Sequence, residues 1–125
     1  MTGSPIVAFV PAHDPDRAAE FYTEVVGARL VRDDGFAIVC ESGGTMLRIV
    51  AASDFTPQPF TILGWEVADL EAEVERLRGA GVEFEEFALA DESGIWNAPG
   101  GDRVAWFRDT EGNLLSLSKH ARPVT

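Results

Sequence analysis

An internal repeat constrains the fold of this chain more than any other feature of its sequence. Residues 6–10 are an apolar run typical of a β-strand, and a pattern of helical spacing follows between Asp14 and Gly27. Asp14 is a suitable N-cap and Gly27 a suitable C-terminal stop. The same order returns 55 positions later, where residues 61–67 resemble a strand and Asp69 precedes a second helical pattern. The repeat predicts two modules of similar structure.

Each predicted helix is followed by three segments with the composition of strands. They are residues 29–33, 36–41 and 45–50 in the first half, and 82–87, 103–108 and 113–118 in the second. Each half therefore contains a strand, a helix and three further strands. Runs of strands with one helix per half indicate the α+β class, in which the helices cover one face of a sheet and leave the other free.

The length of 125 residues suits one domain of ordinary size. We predict a single domain over residues 1–125, with a first module at 5–51, a linker at 52–59 and a second module at 60–119. The segment 88–101 is predicted to be a long irregular insertion in the second module. Long loops are often functional, so this insertion is a candidate part of a binding site.

Short motifs stand in the same order in the two halves. They are Asp14, Phe21-Tyr22 and Gly27 in the first half, and Val67-Ala68-Asp69-Leu70, Gly81-Val82 and the segment WFRDTEGN at 106–113 in the second. Together these motifs resemble the vicinal oxygen chelate superfamily, which includes glyoxalase I, extradiol dioxygenases and bleomycin-resistance proteins. The resemblance covers residues 6–118, and it departs at Thr110, where the family usually has proline. It implies two βαβββ modules whose sheets curl into an open barrel, with helices on the outer face and the ligand inside the curl.

The resemblance also locates the four positions at which enzymes of the family bind a divalent metal through His, Glu or Gln. In this chain those positions are Val7, Arg48, Ile62 and Ser116. Two are aliphatic, serine is a poor ligand for Zn, Fe or Mn, and arginine is a permanent cation. We therefore expect no metal and no other cofactor.

Strand alternation predicts which side chains line the cleft, because alternate residues of a strand point to opposite faces of the sheet. The predicted lining consists of Val7, Phe9, Ile38, Met46, Arg48, Ile62, Gly64, Glu66, Trp106, Leu114 and Ser116, with Ser118 further along the last strand and Trp96 from the insertion. The intervening residues Ala8, Leu47, Ile49, Leu63, Trp65, Leu115 and Leu117 are expected to pack under the helices, and Cys40 to lie at the edge of the cleft. A mostly apolar, aromatic lining with a few polar groups is typical of a small-molecule site.

Several of these residues have two interpretations. Arg48 is either a bidentate clamp for a carboxylate or phosphate, or the internal ion-pair partner of Glu66. Glu66 is a weak catalytic candidate as a general base, with the structural role favoured. Trp96 is either an aromatic lid or part of a loop packed on the sheet. His13 and His120 are expected in a surface loop and in the polar C-terminal tail.

The charge balance limits the partners. Twenty-one acidic residues against ten basic ones give a net charge of −11, which disfavours nucleic acid and membrane surfaces and is compatible with a cationic ligand. Cys40 is the only cysteine, so no intramolecular disulfide forms and a reducing compartment is expected. The N-terminal residues do not resemble a signal peptide, and we predict a cytoplasmic protein.

Three functions are compatible with this sequence. The first is a binding protein of the bleomycin-resistance type, which holds a small aromatic or cationic molecule in the apolar cleft without a metal, as a homodimer. The second is a lyase, isomerase or dioxygenase of the same superfamily, metal-independent or with atypical metal ligands. The third is a regulatory or subunit role. The missing metal ligands and the acidic charge favour the first, and whether the molecule is an enzyme stays open.

Overall fold

A computed structural model describes residues 1–87 and 90–124. The chain divides into two compact units. Unit 1 contains Met1–Pro57 together with Asp109–Asn113, and unit 2 contains Gln58–Arg108 and the chain from Leu114 onward. Within the described residues, neither unit has a helix with the length and apolar character needed to cross a lipid bilayer.

Unit 1 is a four-stranded sheet with one helical segment on one face. Its elements are β1 (Val7–Ala12), α1 (Pro15–Glu20), a π-helical turn (Phe21–Val26), β2 (Arg29–Asp33), β3 (Ala37–Ser42) and β4 (Thr45–Ala51). The strand order is β1-β4-β3-β2, with β1 parallel to β4 and the other pairs antiparallel. The core lies between the helical segment and the sheet, where Val10, Leu47 and Ile49 are fully buried.

The helical segment of unit 1 begins and ends as its sequence predicts. The Asp14 side chain accepts a hydrogen bond from the backbone N–H of Arg17 at 3.2 Å, and Gly27 has a φ of 100°, which glycine adopts without strain. The change from α- to π-helical geometry was not predicted. It occurs where the Thr23 hydroxyl donates to the carbonyl of Ala19 at 2.8 Å, a side-chain bond that competes with the regular backbone pattern.

Unit 2 has the same architecture. Its elements are β5 (Leu63–Glu66), α2 (Leu70–Gly79), β6 (Ile95–Asn97), β7 (Arg103–Arg108) and β8 (Leu114–Lys119). The strand order is β5-β8-β7-β6, with β5 parallel to β8. Asp69 caps α2, whose buried stripe is Leu70, Val74 and Leu77. The α+β class and the two βαβββ modules are therefore confirmed.

One predicted strand is wrong. Residues 82–87 form no strand, and only an isolated bridge between Phe84 and Phe107 joins them to the sheet. The edge position belongs to β6, inside the segment predicted to be irregular, of which positions 88 and 89 lie outside the described residues. Asp91 explains the change, because its carboxylate accepts the backbone N–H groups of Ser93 and Ile95 and so closes a turn that leads into β6.

The turn between β7 and β8 belongs to unit 1, although it lies within the second predicted module along the chain. The carboxylate of Asp109 holds this turn in place through hydrogen bonds. One carboxylate oxygen accepts the Tyr22 hydroxyl at 2.6 Å and the Asn113 amide at 2.9 Å. The other accepts the backbone N–H groups of Glu111 and Asn113. The Asn113 amide also donates to the carbonyl of Pro11.

Glu111 adds a second set of contacts to this turn. Its carboxylate accepts the backbone N–H groups of His13 and Asp14 at 2.7 and 3.0 Å. His13 is exposed, as predicted, and packs against Phe55. The Thr110 hydroxyl is buried and has no hydrogen-bond partner within residues 1–87 and 90–124.

Candidate functional site

Each sheet has one face under its helix and one open face. Directly paired residues on neighbouring strands share a face, so the pairing register assigns every side chain. The unit 1 face consists of Val7, Phe9, Pro11, Ala37, Val39, Glu41, Met46, Arg48 and Val50. The unit 2 face consists of Gly64, Glu66, Trp96, Val104, Trp106, Arg108, Leu114, Ser116 and Ser118, with Ile62 just before β5 at the same parity. The opposite faces carry the apolar residues that the sequence placed under the helices.

Two residues were assigned to the wrong face. Ile38 pairs with Ile49 and not with Arg48, so it lies on the helix-covered side, where it lines a groove with α1 residues. Val39 takes the position predicted for Ile38, because it pairs with Arg48. Cys40 pairs with Leu47 and is fully buried on the helix side, which raises the pKa of its thiol. Neither Ile38 nor Cys40 belongs to the open face.

The unit 1 face has an apolar part at β1. Val7 pairs with Met46 and Phe9 with Arg48, and Val7 and Phe9 are 42% and 61% exposed. Large apolar side chains exposed side by side on an edge strand are a typical contact surface. Val7, Phe9, Met46 and Arg48 are thus brought together as predicted.

Arg48 forms an ion pair that the sequence did not predict. Its guanidinium donates to the Asp34 carboxylate at 2.7 Å, and it also contacts the Met46 sulfur at 3.8 Å. Asp34 lies in the turn between β2 and β3, 14 positions before Arg48. Of the interpretations left open for Arg48, the internal pair with Glu66 is replaced by a pair with Asp34. The hydrogen bond from Arg48, with the backbone N–H groups of Phe36 and Ala37, lowers the pKa of Asp34 to about 2.

We expect replacement of Arg48 by alanine to raise the pKa of Asp34 toward its ordinary value, without reaching it, because two backbone donors remain. Since the folded-state pKa is below the unfolded one, the pair stabilises the protein above about pH 4 and loses this effect as the pH falls toward 2. The midpoint is measured by NMR titration of the Asp34 side-chain carbonyl. A midpoint in the wild type near that of an unpaired aspartate would contradict the pair.

The unit 2 face carries an aromatic cluster centred on Trp106. The Trp106 ring stacks on Trp96 at 6.0 Å between centroids and meets the edge of Phe87 at 5.2 Å. Its indole N–H donates to the Thr61 hydroxyl at 3.1 Å, which fixes the ring plane. Trp96 and Trp106 were both predicted to line the cleft, whereas Phe87 and Thr61 were not, and both lie outside the strands that the structure shows.

Gly64 allows close packing of β5 against β8 beside this cluster. The place that a side chain at Gly64 would take is filled by the Ser116 hydroxyl of the neighbouring strand β8, so a larger residue there would collide with it. Ile62 donates its backbone N–H to the carbonyl of Leu114 at 3.0 Å, just before β5. Ser116 pairs with Trp106 on its other side, so its hydroxyl shares a face with the aromatic cluster.

Polar groups occupy the far end of the unit 2 face. Ser118 lies between Glu66 and Val104 in the register, and its hydroxyl is 2.9 Å from Nε2 of His120. The other ring nitrogen of His120 is 3.2 Å from the Asp102 carboxylate. Glu66 is exposed, and its carboxylate accepts the backbone N–H of His120 at 3.3 Å. No role was predicted for His120, because no local sequence pattern links a tail residue to Asp102.

The family's four metal positions do not fit a metal in this chain. Val7 and Ile62 have no donor atom, Arg48 is a cation already bound to Asp34, and Ser116 offers one neutral hydroxyl. In the part of the chain that the structure describes, no three His, Cys, Asp or Glu side chains lie together as a metal-binding group. These donors give no basis for a metal-dependent step.

Solved structures show the same fold. A glyoxalase/bleomycin resistance protein/dioxygenase from Alicyclobacillus acidocaldarius is 18% identical, with a TM-score of 0.73 over 98% of this chain and 95% of that one. TioX from Micromonospora sp. ML1 is 22% identical, with a TM-score of 0.72 over 94% and 99%. A lactoylglutathione lyase from Agrobacterium tumefaciens is 20% identical, with a TM-score of 0.69 over 94% and 93%. No curated protein sequence matches the chain.

The family model gives the more specific result. The model for the glyoxalase/bleomycin resistance protein/dioxygenase superfamily matches residues 6–117, which is nearly the whole chain. The match spans both modules and agrees with the residues that carried the resemblance in the sequence. The chain therefore belongs to the glyoxalase/bleomycin resistance protein/dioxygenase superfamily.

Proposed function

We propose that this protein binds a small aromatic or cationic molecule on the open face of its unit 2 sheet without a metal. The observation that carries the proposal is the aromatic cluster of Trp106, Trp96 and Phe87, which shares this face with the Ser116 hydroxyl. Rigid aromatic rings next to a few polar groups are the usual make-up of a small-molecule site. Among the functions found in the family, the binding of a compound without its transformation fits these residues best.

The charges on each open face favour a cation over an anion, because the arginine on each face is paired with a carboxylate. On the unit 2 face, Arg108 bonds to Glu85. Arg48, the one residue at the family's metal positions that bears a charge, is neutralised by Asp34 at 2.7 Å. Glu66 on the unit 2 face is exposed and accepts one backbone hydrogen bond. The net charge of −11 adds a long-range attraction for cations. A planar aromatic cation would combine stacking on Trp106 with the charge of Glu66.

Native mass spectrometry of the purified protein tests this function directly. We expect a chain that carries no stoichiometric transition metal, because Val7, Arg48, Ile62 and Ser116 supply no set of strong donors. We also expect a fraction of the protein to retain a small organic molecule. About one Zn, Fe, Mn or Ni per chain, confirmed by elemental analysis and lost together with binding on chelation, would contradict the metal-free proposal.

We further propose that the protein is a homodimer. Val7 and Phe9 expose 42% and 61% of their surfaces along β1, an edge strand of its sheet, and Ile6 just before the strand exposes 76%. A monomer seldom leaves such a patch in water. Light scattering at micromolar concentration is expected to give twice the chain mass, and Phe9→Asp is expected to shift the equilibrium toward the monomer. The mass of one chain for the wild type would contradict this prediction.

A cytoplasmic location is part of the proposal. It rests on the single cysteine, which is buried on the helix side of unit 1 and so suits a reducing compartment. Fluorescence microscopy of the protein in its native host, with the tag placed after residue 125, tests the location.

A further inference from the structure

The structure places a serine, a histidine and an aspartate of unit 2 in one hydrogen-bonded row. The Ser118 hydroxyl is 2.9 Å from Nε2 of His120, and Nδ1 of His120 is 3.2 Å from the Asp102 carboxylate. Each ring nitrogen of His120 therefore has a different partner. We propose that Ser118 is a nucleophile toward small carboxylic esters, with His120 as its general base and Asp102 as a positioning residue.

The partner of each ring nitrogen determines whether His120 can accept the proton of Ser118. An Nδ1–H bonded to Asp102 leaves the lone pair of Nε2 facing the Ser118 hydroxyl, which can then donate its proton. Asp102 is itself held in place, because its other oxygen accepts the backbone N–H of Ala121 at 2.9 Å. That bond, and then the contact with His120, lowers the pKa of Asp102, so its carboxylate stays ionised at neutral pH.

His120 is positioned by its backbone as well as by its ring. Its N–H donates to the Glu66 carboxylate at 3.3 Å, at the point where the chain leaves β8. The ring is thus held by Ser118 and Asp102, and the backbone that carries it is held by Glu66. Fixed orientation of the base toward the hydroxyl is the main requirement for proton transfer in such a row.

The proposed reaction is transfer of an acyl group to Ser118 and then to water. The Ser118 oxygen forms a bond to the carbonyl carbon of the ester while its proton passes to Nε2 of His120. The tetrahedral adduct then loses the alcohol, which takes that proton, and leaves acyl-Ser118. Water, deprotonated by His120, attacks the acyl group and releases the carboxylic acid, and the proton returns to Ser118. Ester and water are consumed, and alcohol and acid are formed.

The neighbours of Ser118 define the substrate class. Glu66 and Val104 flank Ser118 on the adjacent strands, and Ser118 itself is only 8% exposed. The limited opening admits a small acyl group such as acetyl. The carboxylate of Glu66 repels an anionic acyl group and tolerates a neutral or cationic ester.

Acetylation by p-nitrophenyl acetate tests the proposal, with release of p-nitrophenolate as the measured rate. We expect fragmentation mass spectrometry to find the acetyl group on Ser118 or, if water removes it faster, release in excess of the protein. Ser118→Ala and His120→Gln are each expected to lower the rate at least tenfold. His13→Gln is the matched control, since His13 is also exposed and lies 3.7 Å from a carboxylate, that of Glu111, and it should leave the rate within twofold.

Asp102 is tested by a spectroscopic measurement, because a purely structural role would not affect the imidazole proton. In the wild type, ¹⁵N NMR is expected to place the neutral-form proton of His120 on Nδ1, and Asp102→Asn is expected to move it to Nε2 while lowering the rate. A release rate unaffected by Ser118→Ala or by His120→Gln overturns the proposal. Ligand binding on the aromatic cluster is measured separately, so either function can fail without the other.

Discussion

Replacement of Asp109 by alanine is expected to lower the free energy of unfolding by about 3–5 kcal/mol. Asp109 is 7% exposed, and its two oxygens accept four hydrogen bonds, from Tyr22, from the side chain and backbone of Asn113, and from the backbone of Glu111. Without the carboxylate, the fully buried Tyr22 hydroxyl loses this acceptor. A buried donor without an acceptor retains its full desolvation cost. Because folded domains are stable by only about 5–15 kcal/mol, this is the most damaging single change that we expect in unit 1.

Chemical denaturation measures the effect, and two variants serve as controls. Tyr22→Phe removes one of the four bonds and is expected to cost about 1.5–3 kcal/mol, as for a hydrogen bond to a charged group. Asp91→Ala is the matched control, because Asp91 also accepts several bonds within a turn but is exposed, so water replaces its lost contacts. A cost for Asp109→Ala no greater than that for Asp91→Ala would show that burial of this turn contributes little.

The sequence predicts the fold well wherever the signal is local. The caps at Asp14 and Asp69, the glycine at position 27 and the apolar spacing of α2 determine the helices within a few neighbouring residues. Strand β6 was missed for the opposite reason. Its three residues are held by pairing with β7 and by the Asp91 turn, and neither leaves a periodic pattern in the sequence.

Strand alternation assigned the residues of the unit 2 strands to the correct faces. In unit 1 it assigned one strand, β3, to the wrong face. The assignment of Ile38 came from treating β3 as the equivalent of β7. The turn between β3 and β4 has two residues, Gly43 and Gly44, because Ser42 pairs with Thr45. The turn between β7 and β8 has five, because Arg108 pairs with Leu114. An odd difference in length moves every residue of β3 to the other face, and Val39 replaces Ile38.

The ion pair of Arg48 and the hydrogen-bonded row of Ser118, His120 and Asp102 could not be predicted from strand alternation either. Asp34 lies in a turn, and Asp102 lies at the start of a strand 18 positions before His120. Each contact depends on how a loop or tail returns to the sheet, which alternation along a strand does not describe. Strand parity therefore predicts the faces of a site but not the charge pairs at its borders.

Replacement of Trp106 by alanine is expected to weaken binding of an aromatic cation by about 1–3 kcal/mol, or roughly 5- to 150-fold. Trp106 is the centre of the cluster, since it touches both Trp96 and Phe87 and its ring is fixed by Thr61. Its loss removes the stacking surface and leaves its neighbours unsupported. Calorimetric titration with 1-naphthylmethylammonium measures the affinity without depending on tryptophan fluorescence. Trp65→Phe is the matched control, because Trp65 stacks on Phe107 at the helix-covered face of the same sheet and should not contact the probe.

Three naphthalene probes that differ in charge separate the contribution of stacking to the affinity from that of charge. If Glu66 and the acidic surface select the ligand, 1-naphthylmethylammonium should bind more tightly than neutral 1-naphthalenemethanol, and 1-naphthoate should bind most weakly. Glu66→Gln is then expected to weaken binding of the cation alone, whereas Arg48→Ala should leave it unchanged or improve it, because the net charge of −11 becomes one unit more negative. Tighter binding of the anion, lost in Arg48→Ala, would reverse the assigned sign. Unchanged affinity for every probe in the Trp106, Glu66 and Arg48 variants would place the site away from these two faces.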